Sequence, residues 1–349
     1  MTRRGLARAL AIATVLVVAA CGGTTSGGTA KTNAAVAIVP GGPHPYFEPM
    51  RQAIVDAKAD FSLTKGTFEV PSDWKQDLQN QLLTSLAAQG YDGFGVFPTD
   101  GNAANGIVTQ LAAKNYPVIA VGGCIAEPTK TTFCIATDVG NSAYTGAKAT
   151  IAAMGGKGVL LHGTGLLTDP NTVLRVDAVK KAVAETNGAV KLIQTVADTD
   201  AQEAADQKIN ALLAAQKDQI DGMIATGYIP SVVASKSLRT LGDKRIKFVG
   251  IDDDPIVLDA IKDGYVAGTM AQNPYGQGYV AAYVLDLLVS GSCTVKDDAP
   301  WIKTPQTARF IDSGTLVINN ANLTAYKDDL KKITGDIQKS FRGKYLNCK

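Results

Sequence analysis

Histidine, the side chain most often used as a general base or metal ligand, is scarce in this sequence. Only two histidines occur, His44 and His162, and neither belongs to a Cys/His cluster with metal-site spacing. The run His162–Gly165 begins like a dinucleotide-binding loop, but Thr168 stands where the last glycine of G-x-G-x-x-G is required. No G-x-S-x-G elbow and no P-loop occur. We therefore expect no metal and no cofactor, and we predict that the chain is not an enzyme.

The N-terminus has the pattern of an export signal. Three arginines within the first eight residues precede the apolar run Ala9–Ala20, which is shorter than the roughly 20 residues of a membrane-spanning helix. The sequence V-A-A-C that ends at Cys21 resembles a bacterial lipobox, which predicts a signal peptide over residues 1–20 and lipidation of Cys21. An ordinary signal peptide with a chance cysteine is the alternative. At least two acyl chains on Cys21 would anchor the protein stably to the outer face of the cytoplasmic membrane.

The remaining cysteines suggest disulfides. Cys124, Cys134, Cys293 and Cys348 form an even set, which in an exported protein favours paired cysteines. Cys124 and Cys134 are close enough to staple one loop, and Cys293 with Cys348 would then tie down the C-terminus. Three pairings are possible, and the sequence does not choose among them.

Composition narrows the class of protein. Residues 21–33 are rich in Gly, Ser and Thr, which predicts a flexible tether. The net charge of +2 and the lack of a basic patch with interleaved aromatics argue against nucleic acid as a partner. A mature chain of about 320 residues exceeds the size at which one core keeps growing, so two lobes are expected.

Short β-branched runs alternate with segments of helical spacing after residue 34. The predicted strands are Ala35–Val39, Phe68–Val70, Gly93–Phe97, Val118–Val121, Gly158–His162, Val190–Thr195, Gly222–Ala225 and Phe248–Ile251. Two helices are predicted from apolar stripes, Phe47-Met50-Ile54-Ala57-Phe61 and Trp74-Leu78-Leu82-Leu86, and five more over Ala103–Lys114, Ala143–Met154, Val173–Thr186, Gln202–Ala215 and Ser231–Leu241.

This alternation predicts an α/β protein of two doubly wound parallel-sheet lobes. Because ligands of such sheets bind beyond the carboxyl ends of the strands, a cleft between the lobes should be lined by the strand-end loops. Two helix starts can also be read locally: Asp254 before Pro255 is typical of an N-cap, and Asp200 with Glu203 of a capping box.

Four sequence pieces carry a family resemblance in their order and spacing. They are Pro45-Tyr46-Phe47, Pro117-Val118-Ile119, Val249-Gly250-Ile251-Asp252, and Ala271-Gln272-Asn273-Pro274 followed by Gly276 and Gly278. Together they resemble the type I periplasmic sugar-binding proteins, the ribose-binding-like family, from about Ala34 to Val317. The resemblance implies a substrate-binding lipoprotein that captures a monosaccharide or polyol for the permease subunits of an ABC importer, and we expect a monomer.

The resemblance also implies which residues contact the ligand. In the N-terminal lobe these are Tyr46 and Phe47, whose rings would stack on a sugar, and His44, which replaces an asparagine that often binds hydroxyls. Phe47 also begins an apolar stripe, so a core position is its alternative, and His44 could be a solvated loop residue.

The C-terminal lobe would supply most of the polar contacts. The resemblance assigns ligand contacts to Arg175, a fork of hydrogen-bond donors, to Asp252 and to Gln272. Asp198 or Thr199, after a strand, is a further candidate, and Tyr228 could stack on the opposite side of the ligand.

Two departures bear on which ligand is bound. An Asp-Arg pair of the family is replaced by Gly122 and Gly123, and a family asparagine is replaced by Gly227. Ribose itself is therefore not expected, and the two glycines leave room for a larger ligand or for side chains of the neighbouring loop, which contains Cys124 and Cys134. One alternative is a nucleoside or amine ligand, and another is a surface receptor that senses the solute. Repressors of the LacI type share the two-lobed core, but they need an N-terminal helix-turn-helix, and here an export signal is predicted in its place.

The expected hinge divides the chain into discontinuous lobes. Three strands should cross between the lobes, near Asp138, Gln272 and Asp312. The N-terminal lobe is then predicted to comprise residues 34–138 and 273–311, and the C-terminal lobe residues 139–272 and 312–349. Hinge closure on a bound ligand would let a permease distinguish the loaded state from the empty one.

Overall fold

The structure is a computed structural model that describes residues 33–167 and 169–349. The predicted signal peptide, Cys21 and residues 21–32 of the predicted tether lie outside the described residues. No helix of the described residues is both long enough and apolar enough to cross a membrane.

A six-stranded parallel sheet forms the centre of the N-terminal lobe. Its strands are β1 (Ala35–Val39), β2 (Lys65–Phe68), β3 (Gly93–Val96), β4 (Val118–Val121), β5 (Cys134–Ala136) and β12 (Phe310–Asp312), in the order β12-β5-β4-β3-β1-β2. The second strand begins at Lys65 and not at the predicted Phe68. Because it is an edge strand with exposed Lys65, its polar first half gave no apolar signal.

A second six-stranded sheet forms the centre of the C-terminal lobe. Its strands are β6 (Gly158–Gly163), β7 (Val190–Val196), β8 (Gly222–Ala225), β9 (Lys247–Ile251), β10 (Gly268–Ala271) and β13 (Leu316–Ile318), in the order β13-β10-β9-β8-β6-β7. All pairs are parallel except β10 with β13. The predicted fold class is thus confirmed.

Helices cover both sheets. They are α1 (Glu48–Asp60), α2 (Gln76–Ala88), α3 (Asn105–Ala112), α4 (Val139–Ala153), α5 (Pro170–Ala184), α6 (Gln202–Gln216), α7 (Tyr228–Leu241), α8 (Pro255–Lys262), α9 (Pro274–Val289) and α10 (Tyr326–Tyr345). The stripe predicted for α1 is correct, since Met50, Ile54 and Ala57 are buried in the core.

The stripe predicted for α2 is correct only in part. The helix begins at Gln76, so Trp74 precedes it and is 42% exposed. Leu86 is buried as predicted and Leu82 packs against the core, but the most deeply buried positions of the helix are Gln79 and Leu83. Gln79 is buried because its amide donates to the carbonyl oxygens that follow two strands, Pro40 O at 3.0 Å and Phe97 O at 2.7 Å. A polar residue satisfied by backbone groups in this way gives no hydrophobic signal.

Three segments connect the two sheets. They run from β5 to α4, from β10 to α9, and from β12 to β13, close to the positions that the sequence predicts. Hydrogen bonds join the three: Asp138 N donates to Asp312 Oδ1 (3.1 Å), Ser313 N to Ala136 O (2.8 Å), and Asn273 Nδ2 to Ser313 O (2.8 Å).

The C-terminal helix α10 contacts both lobes. Tyr326, at its start, is buried in the core of the C-terminal lobe, whereas Phe341, near its end, is buried in the core of the N-terminal lobe. The end of the chain therefore departs from the predicted assignment of residues 312–349 to the C-terminal lobe. Sequence periodicity does not reveal this, because it shows which face of a helix is apolar but not which core covers each turn.

Two disulfides select one of the three possible pairings. Cys124 is bonded to Cys134, which closes the loop between β4 and β5, and Cys293 is bonded to Cys348. The second bond joins β11 (Cys293–Val295) to β14 (Leu346–Cys348), an antiparallel pair that holds the C-terminus on the N-terminal lobe.

Candidate functional site

Asp252 is the buried carboxylate of the site. It follows β9 in the left-handed region (φ 68°), where Asp is tolerated better than most residues, and is 8% exposed. Its backbone is fixed on both sides, because Asp252 N donates to Met270 O (2.8 Å) and Asp252 O accepts from Thr269 Oγ1 (2.7 Å). Burial raises the pKa of Asp252 to about 6, although Gln272 and Arg175 both favour the ionised form.

Gln272 and Arg175, two residues to which the resemblance assigns ligand contacts, accompany this carboxylate. Gln272 Nε2 donates to Asp252 Oδ1 at 2.7 Å from the connection between β10 and α9. Arg175, on α5, is near enough to lower the pKa of both Asp252 and Tyr46. The Arg175 Nε atom is buried, and no described residue provides it with a hydrogen-bond partner. The cluster therefore retains a donor for a further acceptor.

Tyr46 joins this cluster from the other lobe. Its hydroxyl donates to Gln277 Oε1 (3.0 Å), and Gln277 Nε2 in turn donates to Ser313 Oγ (3.1 Å) in one of the interlobe segments. Burial raises the pKa of Tyr46 above its ordinary value, so the phenol stays protonated. Tyr46 of the N-terminal lobe is thus connected by hydrogen bonds to one of the segments that join the lobes.

An aromatic group forms the wall beside Tyr46. Phe47 is 3% exposed and packs in the core, so it takes the core position that the sequence left open. Its ring centroid lies 4.9 Å from that of Phe97 and 6.0 Å from that of Trp74. We use "aromatic wall" for Tyr46, Phe47, Trp74 and Phe97.

Phe97 fills the space beside Gly122 and Gly123. A Cβ at Gly122 would lie 2.9 Å from Phe97 Cδ2, and one at Gly123 would lie 3.1 Å from Phe97 Cε2. Gly122 also has φ +73°, a conformation that side chains rarely adopt. The space beside these glycines is thus occupied by Phe97, directly after β3, and not by a side chain of the loop that contains Cys124 and Cys134.

His44 and Tyr228 meet across the lobes. Their ring centroids are 5.3 Å apart in an edge-to-face arrangement. His44 Nδ1 accepts from Tyr46 N (3.1 Å), and burial lowers the pKa of His44 while the Asp200 carboxylate opposes that change. Tyr228 donates its hydroxyl to Asp254 Oδ2 at 2.6 Å, and Asp254 is the N-cap of α8 that the sequence predicts.

The candidates after β7 are not in the cluster. Thr199 is fully buried and donates to Thr164 O (2.7 Å), so its hydroxyl is engaged within the lobe. Asp198 is exposed and lies 3.8 Å from Lys208 Nζ. The predicted capping box is also wrong, because Asp200 Oδ2 accepts from Leu166 N (2.7 Å) and α6 has Ala201 as an N-cap without a side-chain bond.

His162 has a core environment. It is fully buried, its Nε2 lies 2.8 Å from Thr226 Oγ1, and burial lowers its pKa to about 3, so the ring stays neutral. No group of three or more potential metal-ligating side chains lies together within residues 33–167 and 169–349.

A cavity of about 780 Å³ lies beside the Asp252 cluster. Its walls come from the N-terminal strand-end loops, the first turns of α4 and α5, and residues 302–306. Trp74, Phe97, Gly122 and Gly123 line it. The sequence missed Trp74 and Phe97 as site residues; the position of Phe97 at the end of a predicted strand was the available signal, whereas Trp74 was placed on a helix stripe.

Comparisons with known proteins agree with this architecture. A model of the periplasmic binding protein domain matches residues 35–292. A xylitol-binding protein of Mycolicibacterium smegmatis is 26% identical over 234 residues, which are 67% of this chain and 66% of that protein, just under two thirds of its length.

Solved structures share the fold at low identity. An ABC transporter solute-binding protein from Burkholderia graminis in complex with D-arabinose is 22% identical, with a TM-score of 0.69 over 85% of this chain and 99% of that chain. A sugar-binding protein of a sugar ABC transporter from Bacillus halodurans is 17% identical, with a TM-score of 0.74 over 84% of this chain and 100% of that chain. Since the family model covers most of the chain and both lobes have the matching fold, the protein belongs to the family built on the periplasmic binding protein domain.

Proposed function

We propose that this protein captures a neutral polyhydroxylated solute, a monosaccharide or polyol, between its lobes and delivers it to the permease of an ABC importer. The observation that carries the proposal is the buried cluster of Asp252, Gln272 and Arg175, which meets the aromatic wall at Tyr46. Carboxylate, amide and guanidinium groups together offer both acceptors and donors to hydroxyls, while an aromatic face suits the apolar C–H face of a sugar.

The charges of the cluster favour a neutral ligand over an amine. A cationic ligand at Asp252 would also lie near the Arg175 guanidinium, whose charge already acts on that carboxylate. A hydroxyl avoids this repulsion, because it can donate to Asp252 and accept from Arg175 at once. The xylitol and D-arabinose bound by the relatives belong to the same chemical class.

Membrane attachment through Cys21 is part of the proposal. It is supported by the V-A-A-C sequence, which ends a short apolar run after basic residues. The diacylated cysteine would hold the protein at the outer face of the cytoplasmic membrane, where a permease can receive its ligand.

Calorimetry on the mature chain tests ligand capture. Xylitol, D-arabinose, D-ribose and D-tagatose form the first panel, and a ligand is expected among polyols and monosaccharides of this kind. Asp252→Asn should weaken its binding by about 10- to 150-fold, since a hydrogen bond to a charged group is worth about 1.5–3 kcal/mol. The exposed Asp259 of α8 supplies the matched control Asp259→Asn. Equal affinity of the wild type and Asp252→Asn would remove Asp252 from the site.

A further inference from the structure

We propose that the solute has two rings, a disaccharide or comparable glycoside, and that the 780 Å³ cavity is a second compartment that binds the outer ring. This inference rests on the proposed function, since the inner ring would occupy the Asp252 cluster. It extends that function from single sugars and polyols to a longer ligand.

The cavity is distinct from the cluster but shares walls with it. Tyr46, Arg175, Asp252 and Gln272 do not line the part of the cavity formed by the described residues. Leu174, however, lines the cavity and directly precedes Arg175. Thr137 also lines it, and its hydroxyl lies 3.5 Å from Gln277 Nε2, the side chain that holds Tyr46.

The volume of this compartment is sufficient for one sugar ring in addition to the ring at Asp252. Pockets of about 300–1,000 Å³ bury drug-sized ligands, and 780 Å³ lies in the upper part of that range. A single sugar ring is considerably smaller than such a ligand. A monosaccharide held at Asp252 would therefore leave this adjoining compartment to water.

Four polar side chains of the compartment are available to a ligand. Asn102, Asn171, Lys303 and Gln306 line it, and their side chains make no hydrogen bond or ion pair with any described residue. The amides can both donate to and accept from hydroxyls.

The acidic residues of the same wall are partly engaged. Asp100 Oδ1 accepts from the backbone N–H groups of Asn102 and Ala103 (both 2.8 Å). Asp138 Oδ1 caps α4, and Asp169 Oδ1 caps α5. Oδ1 of each carboxylate thus satisfies a helix or turn start, and the second oxygen keeps acceptor capacity for a hydroxyl. The three amides and one ammonium add donors to these acceptors. This set suits a neutral hydroxylated ring.

Trp74 supplies the apolar side of the compartment. Its indole Nε1 donates to Pro43 O (3.2 Å), and its ring lies against the backbone of Gly41 and Gly42, where a Cβ would approach it to 2.7 Å and 2.5 Å, respectively. The indole is therefore fixed in place and has its polar atom satisfied, yet 42% of the residue is exposed. An indole held in this way is a stacking surface for a second sugar ring.

A disulfide and hydrogen bonds hold the wall of the compartment that is formed by the Cys124–Cys134 loop and residues 302–306. The loop closed by Cys124 and Cys134 is hydrogen-bonded to the 302–306 segment through Glu127, whose backbone N donates to Gln306 O (3.2 Å). The Glu127 carboxylate also accepts from the Thr307 hydroxyl (3.4 Å). Rigid walls reduce the ordering cost of ligand binding, which is consistent with a preformed compartment.

Calorimetry with matched ligands tests the inference. The best monosaccharide or polyol of the first panel is compared with disaccharides that contain it, on the wild type, Trp74→Ala and Trp74→Phe. We expect one disaccharide to bind at least about 10-fold more tightly than its monosaccharide, a difference of about 1.4 kcal/mol. Trp74→Ala should remove most of that gain, so that its loss of affinity for the disaccharide exceeds its loss for the monosaccharide, and Trp74→Phe, which keeps an aromatic face, should restore most of the gain.

The outcomes separate this inference from the proposed function. If the monosaccharide binds and no disaccharide exceeds it, or if Trp74→Ala weakens both alike, the second compartment is refuted while the proposed function stands. If neither class binds, both are refuted. Asn102→Ala is the second variant, and a loss confined to the disaccharide is expected from it as well.

Discussion

Asp252→Asn should stabilise the ligand-free protein above pH 6, even though it weakens ligand binding. Asp252 is 8% exposed, and burial raises its pKa to about 6 from an ordinary value of 3.8. Asparagine keeps the shape of the side chain, can still accept from Gln272 Nε2, and tolerates the left-handed backbone at this position. The substitution therefore removes mainly the cost of a buried charge.

The magnitude follows from proton linkage. The two pKa values differ by about two pH units, and each unit corresponds to 1.36 kcal/mol, so ionised Asp252 costs the folded state on the order of 3 kcal/mol. Because the folded state binds its proton more tightly than the unfolded state, this cost is absent below about pH 4 and complete above about pH 6. The stability of the wild type should thus fall across this window, relative to Asp252→Asn.

Thermal and urea unfolding between pH 3.5 and pH 8 measure the difference. We expect the melting temperature of Asp252→Asn to exceed that of the wild type by on the order of 5 °C at pH 8, and the two to converge at pH 4. Asp259→Asn, at an exposed position of α8, should show no such trend. A pH-independent difference, or a less stable variant at pH 8, would refute the electrostatic reasoning.

Two further substitutions test the C-terminal helix and the anchor. Phe341→Ala should destabilise the protein by about 3–5 kcal/mol in urea unfolding, because Phe341 is fully buried in the N-terminal core; Lys339→Ala on the exposed face of α10 is the control, and equal effects would contradict the packing described. Cys21→Ala should move the protein from the membrane fraction to the soluble fraction of fractionated cells, because it removes the proposed acylation site; a variant that stays with the membranes would refute lipid attachment through Cys21.

Local sequence patterns predict the strands well where both faces of a strand are covered. Ala35–Val39, Val118–Val121 and Gly222–Ala225 begin and end where predicted, because a strand buried on both faces is a continuous apolar run. The same argument explains the failure at β2, whose edge position allows polar residues.

The errors in the predicted stripe of α2 arise because its polar and aromatic residues contact groups that are distant in sequence. The burial of Gln79 depends on two carbonyl groups that follow strands β1 and β3, and the position of Trp74 depends on the Gly41–Gly42 backbone beneath its ring. Neither partner is local in sequence, so no spacing rule reveals these contacts.

Only part of the candidate site could be predicted, because the direction of a side chain also depends on contacts that are distant in sequence. The family resemblance assigned ligand contacts to Asp252, Gln272 and Arg175, and the structure brings these three side chains together. Thr199, also at a strand end, turns into the lobe, since its hydroxyl is taken by Thr164 O. Strand topology fixes where a residue lies, but the choice between cleft and interior depends on the hydrogen bonds available on each side.

Helix α10 constrains how far the lobes can separate. Tyr326, in its first turn, is buried in the core of the C-terminal lobe. Phe341, near its end, is buried in the core of the N-terminal lobe, to which the Cys293–Cys348 bond also ties the C-terminus. Any rotation about the three interlobe segments must therefore flex this helix or pull one aromatic ring out of its core. The helix therefore resists rotation of one lobe against the other. A small rotation bends the helix reversibly, whereas a large one requires Tyr326 or Phe341 to leave its core.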